Sequence, residues 1–314
     1  MTPRLRVAVI GRTEMLLEAG RRIAAAGHSV PLVATCAASD TSAAGEEDFR
    51  RFADEVGADY FCSAAINAPA QLARLQAAQC SLAMSMNWLT LIGPQARAAF
   101  PQGVFNAHPG DLPRYRGNAC PNWAILAGEP SVGLCIHQMA DALDAGPVAL
   151  RDRLPLDDGT DVEQVYDWLR RRIPEMYLAL VESVAAGTLQ LQPQPQDPAL
   201  SLRCYPRRRE DGRIDWSRPA AEVHRLVRAS TRPAPGAYSL LEGTRPVTIW
   251  RAAVVPSAGP FLAVPGQVCR QEQGDPVIAC GDGMLRLLEV DVEGCAGGAD
   301  AKAAILRSLR NRLV

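Results

Sequence analysis

Three polar side chains of the sequence are of the types that assist a reaction at a carbonyl group by accepting a proton, orienting the base or stabilising an oxyanion. Asn106 and His108 occupy alternate positions of the extended run Gly103–Pro109, so both side chains point to the same side of it. Asp144 lies in the turn Asp141–Gly146, where a carboxylate can reach a histidine. A neutral histidine accepts a proton, a carboxylate orients it, and an asparagine amide donates to an oxyanion. The set suits acyl transfer to an amine, although a histidine beside proline and an aspartate in a turn are more often structural.

The elements that must position these residues predict an α/β fold with a Rossmann-like, doubly wound and mostly parallel sheet. A β-branched run at Leu5–Ile10, helix formers at Glu14–Ala26 and a second strand at Val30–Thr35 form a βαβ unit. Further strands at Ser81–Met86 and Gly103–Ala107 continue the alternation. Such sheets bind ligands outside the carboxyl ends of their strands, which is where the asparagine and the histidine fall.

The chain beyond the predicted turn completes the first domain. Two more strands are predicted at Val132–Met139 and Val148–Leu154. Thr160 and Glu163 have the spacing of a capping box at the start of a long amphipathic helix, which reaches about Ala186. This helix is predicted to be the last element of the domain.

The length of 314 residues favours two domains over one core. A Gln- and Pro-rich stretch without periodicity follows the long helix and is typical of an extended linker. We therefore predict a catalytic domain at 1–188, a linker at 189–203 and a smaller domain at 204–314. Short strand-like runs after residue 237 indicate that the smaller domain is a β-rich, OB-like barrel.

Composition excludes several classes of protein. Charged residues make up 21% of the sequence and no apolar run is long enough to span a membrane, so we expect a cytoplasmic protein without a signal peptide. The nine cysteines show no C-x-x-C or Cys/His spacing, which disfavours a disulfide framework and a metal site. A net charge of −1 disfavours nucleic acid as a partner. The turn Ile10–Met15 has one glycine where nicotinamide enzymes have G-x-G-x-x-G.

The segment Asn106–Pro147 closely resembles the core of formyltransferases that use 10-formyltetrahydrofolate. It contains an Asn-x-His strand end, a Leu-Pro-x-Tyr-Arg-Gly loop at Leu112–Gly117 and a Leu-Asp-x-Gly turn at Leu143–Gly146, in the family's order and spacing. Asp211–Trp216 and Arg232–Ala237 are similar to the carboxy-terminal domain of methionyl-tRNA and sugar formyltransferases. The resemblance therefore covers most of the chain.

The resemblance implies a role for each residue. His108 accepts the proton of the attacking amine, Asp144 orients His108 and holds charge, and Asn106 stabilises the oxyanion on the formyl carbon. The residues implied to bind the folate co-substrate are Met86, Asn87, Trp88, Leu89, Ala140, Asp141 and Leu143. The residues predicted to bind the acceptor are Arg114, Tyr115, Arg116 and Asn118, because the two arginines of this loop could bind an anionic group of the acceptor; a solvated loop face is the alternative. No metal is implied, and His137 and His224 are interpreted as structural.

The acceptor amine is only partly defined by the sequence. The loop 37–48 is acidic where a tRNA enzyme of this family has basic residues, and a polyanion needs several Lys or Arg contacts. Asn118–Asn122 is also closer to sugar formyltransferases. We therefore favour a nucleotide-linked amino sugar over methionyl-tRNA or a small amine such as hydroxyornithine. A folate- or nucleotide-binding sensor is the alternative outside enzymes, although the intact catalytic residues argue against it, and a homodimer stays open.

Overall fold

The structure, a computed structural model, describes residues 3–37, 43–256 and 259–314. The chain divides into two compact units. The first comprises 1–120, 132–154 and 166–204, and the second comprises 121–131, 155–165 and 205–314. The predicted limits of the catalytic domain, linker and smaller domain stay predictions. Part of the predicted acidic loop, residues 38–42, lies outside the described residues.

The first part of the chain alternates strands and helices, as the sequence predicts. The strands are β1 (Arg6–Gly11), β2 (Ser29–Thr35), β3 (Asp59–Cys62), β4 (Leu82–Met86), β5 (Val104–His108), β6 (Arg116–Gly117), β7 (Ser131–Gln138), β8 (Val148–Pro155) and β9 (Arg203–Cys204). The helices are α1 (Glu14–Ala25), α2 (Glu46–Val56), α3 (Pro69–Ala77), α4 (Pro94–Ala98), α5 (Cys120–Ala127) and α6 (Val162–Ala185).

Among the described residues of the first unit, seven strands form one sheet in the order β3-β2-β1-β4-β5-β7-β8. The five strands from β3 to β5 pair in parallel, and β7 pairs antiparallel with β5. The strand order reverses between β1 and β4, and sheets of this class bind ligands beside such a switch point. The prediction of a Rossmann-like, mostly parallel sheet is therefore confirmed.

Alternation along β1 directs apolar side chains to both faces of the sheet. Ala8 and Ile10 join a buried cluster with residues of α3 and α4. Val9 points to the opposite face, where a Cβ on Gly20 of α1 would come within 3.2 Å of it and within 2.8 Å of Phe52 of α2. Helices therefore cover both faces, which makes the sheet doubly wound.

The start of α6 differs from the prediction by one residue. The predicted capping box of Thr160 and Glu163 does not form. Instead Asp161 Oδ1 accepts from the backbone N–H of Gln164 at 3.0 Å, and Gln164 Oε1 accepts from the backbone N–H of Asp161 at 2.9 Å. The Thr160 hydroxyl is used in the turn before the helix, where it donates to Asp157 Oδ1. Asp and Gln form the same reciprocal cap as the predicted pair, so spacing alone could not separate the two.

The segment predicted as a linker is packed along the first unit. The amides of Gln192 and Val148 exchange hydrogen bonds of 2.8 Å, which join the segment to the start of β8. Further on, β9 pairs in parallel with β6, with Arg203 opposite Arg116 and Cys204 opposite Gly117. The stretch is hydrogen-bonded to the first unit and contains a short 3-10 helix at Pro198–Leu200, so it is extended only in part.

The second unit is β-rich, as the sequence predicts. Its elements are α7 (Ala220–Ser230), β10 (Ala237–Leu241), β11 (Arg245–Val255), β12 (Val268–Glu272), β13 (Asp275–Ala279), β14 (Met284–Val292) and α8 (Gly298–Leu306). Within the residues described, the five strands form an antiparallel sheet in the order β10-β11-β14-β13-β12. Leu313 bridges Leu241 on one edge, and Arg312 bridges Gln267 on the other. The sheet therefore closes in the manner of a small barrel.

The longest helix, α6, has 24 residues, but charged side chains such as Arg170 and Glu175 interrupt its apolar positions. Its apolar residues pack in the core, where Leu169 and Ile173 are fully buried. None of the helices in the described parts of the chain is long and apolar enough to cross a bilayer.

Candidate active site

The antiparallel pairing of β5 and β7 builds the centre of the candidate site. It places Asn106 directly opposite His137 and His108 opposite Cys135. Directly opposite residues of an antiparallel pair have Cβ atoms about 5 Å apart, so their side chains can touch. The Nδ2 atom of Asn106 lies 3.3 Å from Nε2 of His137.

Asp144 lies between two histidines. Its Oδ2 atom is 3.6 Å from Nδ1 of His108, and its Oδ1 atom is 3.4 Å from Nε2 of His137. The Gly117 amide donates to Oδ2 at 2.8 Å. The turn that holds Asp144 passes very close to β7, because a Cβ on Gly146 would come within 1.8 Å of the Gln138 carbonyl oxygen. The structure thus brings together the three residues that the sequence predicts to be catalytic.

The surroundings shift the pKa of both predicted proton carriers. Burial alone would raise the pKa of Asp144, but the hydrogen bond from His137, the charges of His137 and His108 and the Gly117 amide lower it to about 2. Burial lowers the pKa of His108, and the Asp144 carboxylate opposes that effect. The site therefore holds an ionised Asp144 beside a neutral His108 at neutral pH.

One ring nitrogen of His108 is engaged by the backbone. Its Nε2–H donates to the Tyr115 carbonyl at 2.6 Å, and the Cys120 thiol donates to the same oxygen at 2.9 Å. A Cβ on Gly110 would lie 2.5 Å from that nitrogen, so only glycine leaves room for this contact. Because a carbonyl oxygen can only accept, the proton of neutral His108 sits on Nε2, and the lone pair is on Nδ1, the atom nearest Asp144.

His137 belongs to the site, although the sequence analysis interprets it as structural. Its ring is 2% exposed, and Nδ1–H donates to the Gln138 carbonyl at 3.2 Å. Nε2 lies 3.3 Å from the Asn106 side-chain nitrogen and 3.4 Å from Asp144 Oδ1. The sequence does place this histidine two residues before a predicted strand end. Whether such a histidine reaches the site depends on how its strand is paired with β5, which the sequence does not reveal.

Tyr177 of α6 connects the strand ends of the site. Its hydroxyl accepts from the Ala107 amide at 2.8 Å and donates to the Ser85 carbonyl at 2.5 Å. Ala107 lies between Asn106 and His108, and Ser85 precedes the first predicted folate residue. The side chain of Tyr177 is fully buried. One hydroxyl thus joins β4 to β5 at the edge where the site lies.

The first predicted folate segment follows β4, beside the switch point. Met86 is buried, whereas Leu89 is 54% exposed. Asn87 has a φ of 54°, and its carbonyl accepts from Nε of Arg12 at 2.7 Å. Trp88 is half-buried against the apolar cluster that includes Ile10, and its Nε1 donates to Thr90. The segment therefore offers exposed backbone and Leu89 to a ligand, while Met86 belongs to the core.

The second predicted folate segment follows β7. Ala140, Asp141 and Leu143 are all exposed, Leu143 by 44%. Arg97 contacts Asp141 and donates to the carbonyl of Ile92 at 2.7 Å, three residues beyond the first segment. Leu89 and Leu143 are both exposed, whereas the side chain of Asp144, which follows the second segment, is 10% exposed.

The four predicted acceptor residues have different environments. Arg114 is exposed, and its guanidinium lies 5.6 Å from the centre of the Tyr115 ring. Tyr115 is 5% exposed and contributes its carbonyl to His108. Arg116 turns towards the linker segment, where Nη2 donates to Gln194 at 2.7 Å. Asn118 is exposed, and its backbone N–H donates to the Cys204 carbonyl. Arg114 and Asn118 are thus placed to meet a ligand, whereas Tyr115 and Arg116 support the loop.

No group of three or more His, Cys, Asp or Glu side chains suited to a metal ion occurs within residues 3–37, 43–256 and 259–314. The nitrogen and oxygen atoms around Asp144 hydrogen-bond to one another and to backbone groups. Groups of these types can donate and accept hydrogen bonds and can transfer protons.

Comparison with known proteins gives concordant results. Residues 5–181 match the family model described as "Formyl transferase", and residues 207–297 match "Formyl transferase, C-terminal domain". The methionyl-tRNA formyltransferase of Pelobacter propionicus is 34% identical over 194 residues, which are 62% of this chain and 58% of that protein.

Solved structures of similar fold include two that hold a folate compound. HypX from Aquifex aeolicus, in complex with tetrahydrofolic acid, has a TM-score of 0.63 at 18% identity and covers 92% of this chain, which spans 44% of HypX. An N-formyltransferase from Helicobacter canadensis, in complex with folinic acid and dTDP-3-aminofucose, has a TM-score of 0.61 at 13% identity. That match covers 90% of this chain and 98% of the other.

Proposed function

The chain belongs to the formyl transferase family, and we propose that it transfers a formyl group from 10-formyltetrahydrofolate to the primary amine of a nucleotide-linked amino sugar. The observation that carries the proposal is the position of Asp144, whose carboxylate lies within 3.6 Å of His108 and 3.4 Å of His137. The Asn106 amide lies at the same place, 3.3 Å from His137. These groups supply a base, a counter-charge and an oxyanion donor.

In the proposed reaction the amine nitrogen attacks the formyl carbon, and a carbon–nitrogen bond forms as the carbonyl oxygen becomes an oxyanion. The Asn106 amide donates to that oxygen. The proton released by the amine passes to Nδ1 of His108, where the Asp144 carboxylate stabilises the resulting cation. The bond from the formyl carbon to N10 of the folate then breaks, and the proton moves from His108 to that nitrogen.

The exposed segments after β4 and β7 suit the folate. Leu89 and Leu143 present apolar surface, and half-buried Trp88 immediately precedes Leu89 in the chain. The backbone around Asn87 and Ala140 provides donors and acceptors for a flat heterocycle. HypX, bound to tetrahydrofolic acid, and the Helicobacter canadensis protein, bound to folinic acid, share the fold.

Three considerations favour an amino sugar as acceptor. The loop 37–48 carries no Lys or Arg. Its three consecutive acidic residues, Glu46–Asp48, form the first turn of α2, where negative charge stabilises the helix. The Helicobacter canadensis protein, with dTDP-3-aminofucose bound, matches over nearly its whole length. In this proposal Arg114 meets an anionic group of the nucleotide.

Initiator methionyl-tRNA is the second candidate, since the Pelobacter propionicus relative is a methionyl-tRNA formyltransferase. The relative's similarity covers 62% of this chain. A polyanionic acceptor requires several cationic contacts and would make activity fall steeply with salt. Salt dependence therefore separates the two candidates.

Release of tetrahydrofolate from 10-formyltetrahydrofolate tests the proposal. The purified protein is assayed with nucleotide-linked 3-amino and 4-amino sugars, methionyl-tRNA and hydroxyornithine, and products are identified by mass. We expect release that depends on an amino sugar, with one formyl group gained. Turnover only with methionyl-tRNA, or only with hydroxyornithine, would contradict the acceptor assignment. Binding of folate without turnover of any acceptor would support a sensor instead.

A further inference from the structure

Gln194 belongs to the extended segment between the predicted domains, yet its side chain is only 5% exposed. Its Nε2 donates to two carbonyl oxygens, that of Asp144 at 2.8 Å and that of Gly146 at 2.7 Å. Its Oε1 accepts from Nη2 of Arg116 at 2.7 Å. The amide therefore uses both of its donor hydrogens and its acceptor on the loops that surround the candidate site.

The turn that Gln194 holds requires such support. Asp144 has a φ of 49°, in the left-handed region that residues other than glycine rarely adopt. A conformation of this kind persists where surrounding contacts fix it. The two carbonyls on either side of Ala145 are tied by the Gln194 amide, while the turn is pressed against β7 at Gly146.

The same segment also acts on the Asp144 carboxylate. Further along, Arg203 and Cys204 of β9 pair with Arg116 and Gly117 of β6. The Gly117 amide donates to Asp144 Oδ2 at 2.8 Å. The segment therefore restrains the backbone of Asp144 directly and its carboxylate through the paired loop.

We propose that Gln194 is a positioning residue for formyl transfer, and that segment 192–204 is a structural part of the active site. This inference rests on the proposed function. Asp144 acts on His108 at 3.6 Å and on His137 at 3.4 Å, so a small displacement of its turn changes both contacts. A misplacement of about 1 Å in a catalytic group costs on the order of 100-fold in rate.

Two substitutions separate positioning from packing. Gln194→Glu keeps the size of the side chain and the acceptor for Arg116, but it places an oxygen where two carbonyls need a donor. Gln194→Met keeps the volume and removes every hydrogen bond. The matched control is Gln190→Ala, an exposed glutamine of the same stretch. Each variant is measured for kcat, for both KM values, for the pH profile of kcat/KM and for unfolding by urea.

We expect both Gln194 variants to fold, with kcat lowered about 10- to 100-fold and each KM within about twofold of the wild type. In Gln194→Met, which adds no charge, the acid limb of the pH profile should move to lower pH, because a displaced Asp144 no longer opposes the lowering of the His108 pKa. Gln190→Ala should match the wild type. Gln194 variants with wild-type kcat, or with losses that follow only the unfolded fraction at an unchanged pH profile, would overturn the proposal.

A second readout does not need turnover. The pKa of Asp144, about 2 in the wild type, is measured from the carbon-13 shift of its carboxyl group. It should rise in Gln194→Met, which adds no charge of its own, and stay unchanged in Gln190→Ala. An unchanged Asp144 pKa in Gln194→Met would refute the positioning role, whereas a wild-type protein without formyl transfer would refute only the proposed function.

Discussion

The Nε2 atom of His137 lies 3.4 Å from the Oδ1 atom of Asp144. The contact is buried, since the His137 ring is 2% exposed. It gives the carboxylate a second histidine on the side opposite His108, which lies 3.6 Å from Oδ2. The centre is therefore a row of three titratable groups, with Asn106 joined to one end.

Replacement of His137 should lower the rate of formyl transfer. A hydrogen bond to a charged group contributes about 1.5–3 kcal/mol, so His137→Ala should reduce kcat about 10- to 100-fold. His137→Gln, which retains a donor, should lose less. Steady-state kinetics measures both, with His224→Gln of the second unit as a control. Equal rates for His137→Ala and the wild type would show that Asp144 does not need the second histidine.

The pH dependence of kcat/KM should report His108. Burial lowers the pKa of His108 from its usual 6.5, so the neutral, proton-accepting form persists below that pH and is lost only on further acidification. Asp144, with a pKa of about 2, stays ionised throughout. We expect a flat profile near neutrality and an acid limb centred below pH 6.5. An acid limb centred above that value would mean that the Asp144 charge outweighs burial.

Tyr177→Phe should destabilise the first unit. The substitution leaves the buried Ala107 amide and Ser85 carbonyl without their shared partner, and each unsatisfied group costs about 1–3 kcal/mol. Urea unfolding should show this loss in the free energy of unfolding, together with a lower kcat because both strand ends bear site residues. Tyr205→Phe, at a residue 66% exposed, is the control. A Tyr177→Phe protein as stable as the wild type would contradict the bridging role.

Arg12→Ala should weaken folate binding. The guanidinium donates to the Asn87 carbonyl at 2.7 Å and to the Ala37 carbonyl at 3.1 Å, and so holds the strained Asn87 in place. We expect the KM for 10-formyltetrahydrofolate to rise about 3- to 10-fold with kcat changed less than about twofold. Arg4→Ala, at an exposed arginine, should leave both unchanged. An unaltered folate KM in Arg12→Ala would argue against a folate site after β4.

Much of the fold could be predicted because its signals are local. The strands β1, β2, β4 and β5 are apolar runs bounded by turn residues, and the residues of Asn-x-His alternate along one of them. The short edge strand β3 was not predicted. It has four residues and only Phe61 is fully enclosed, so it carries no clear alternation.

The parts of the site that sequence could not supply depend on contacts between distant segments. His137 gains its role from the register of β7 against β5, which a single strand does not reveal. Gln194 lies in a Gln- and Pro-rich stretch without periodicity, so nothing in its neighbours marks it as the buried glutamine. Arg116 is of a residue type that often binds anions in loops, but its guanidinium is turned away by the hydrogen bond to Gln194.

The most direct test of the account is formyl transfer by the wild type and by Asp144→Asn, measured in a single turnover with 10-formyltetrahydrofolate and a nucleotide-linked amino sugar. Asparagine can still accept from the Gly117 amide, so the turn is kept while the charge between the histidines is removed. The account predicts an N-formyl sugar from the wild type and a rate lowered at least about 1,000-fold in the variant, within the range of general acid–base catalysis. An Asp144→Asn protein that transfers the formyl group at the wild-type rate would contradict it.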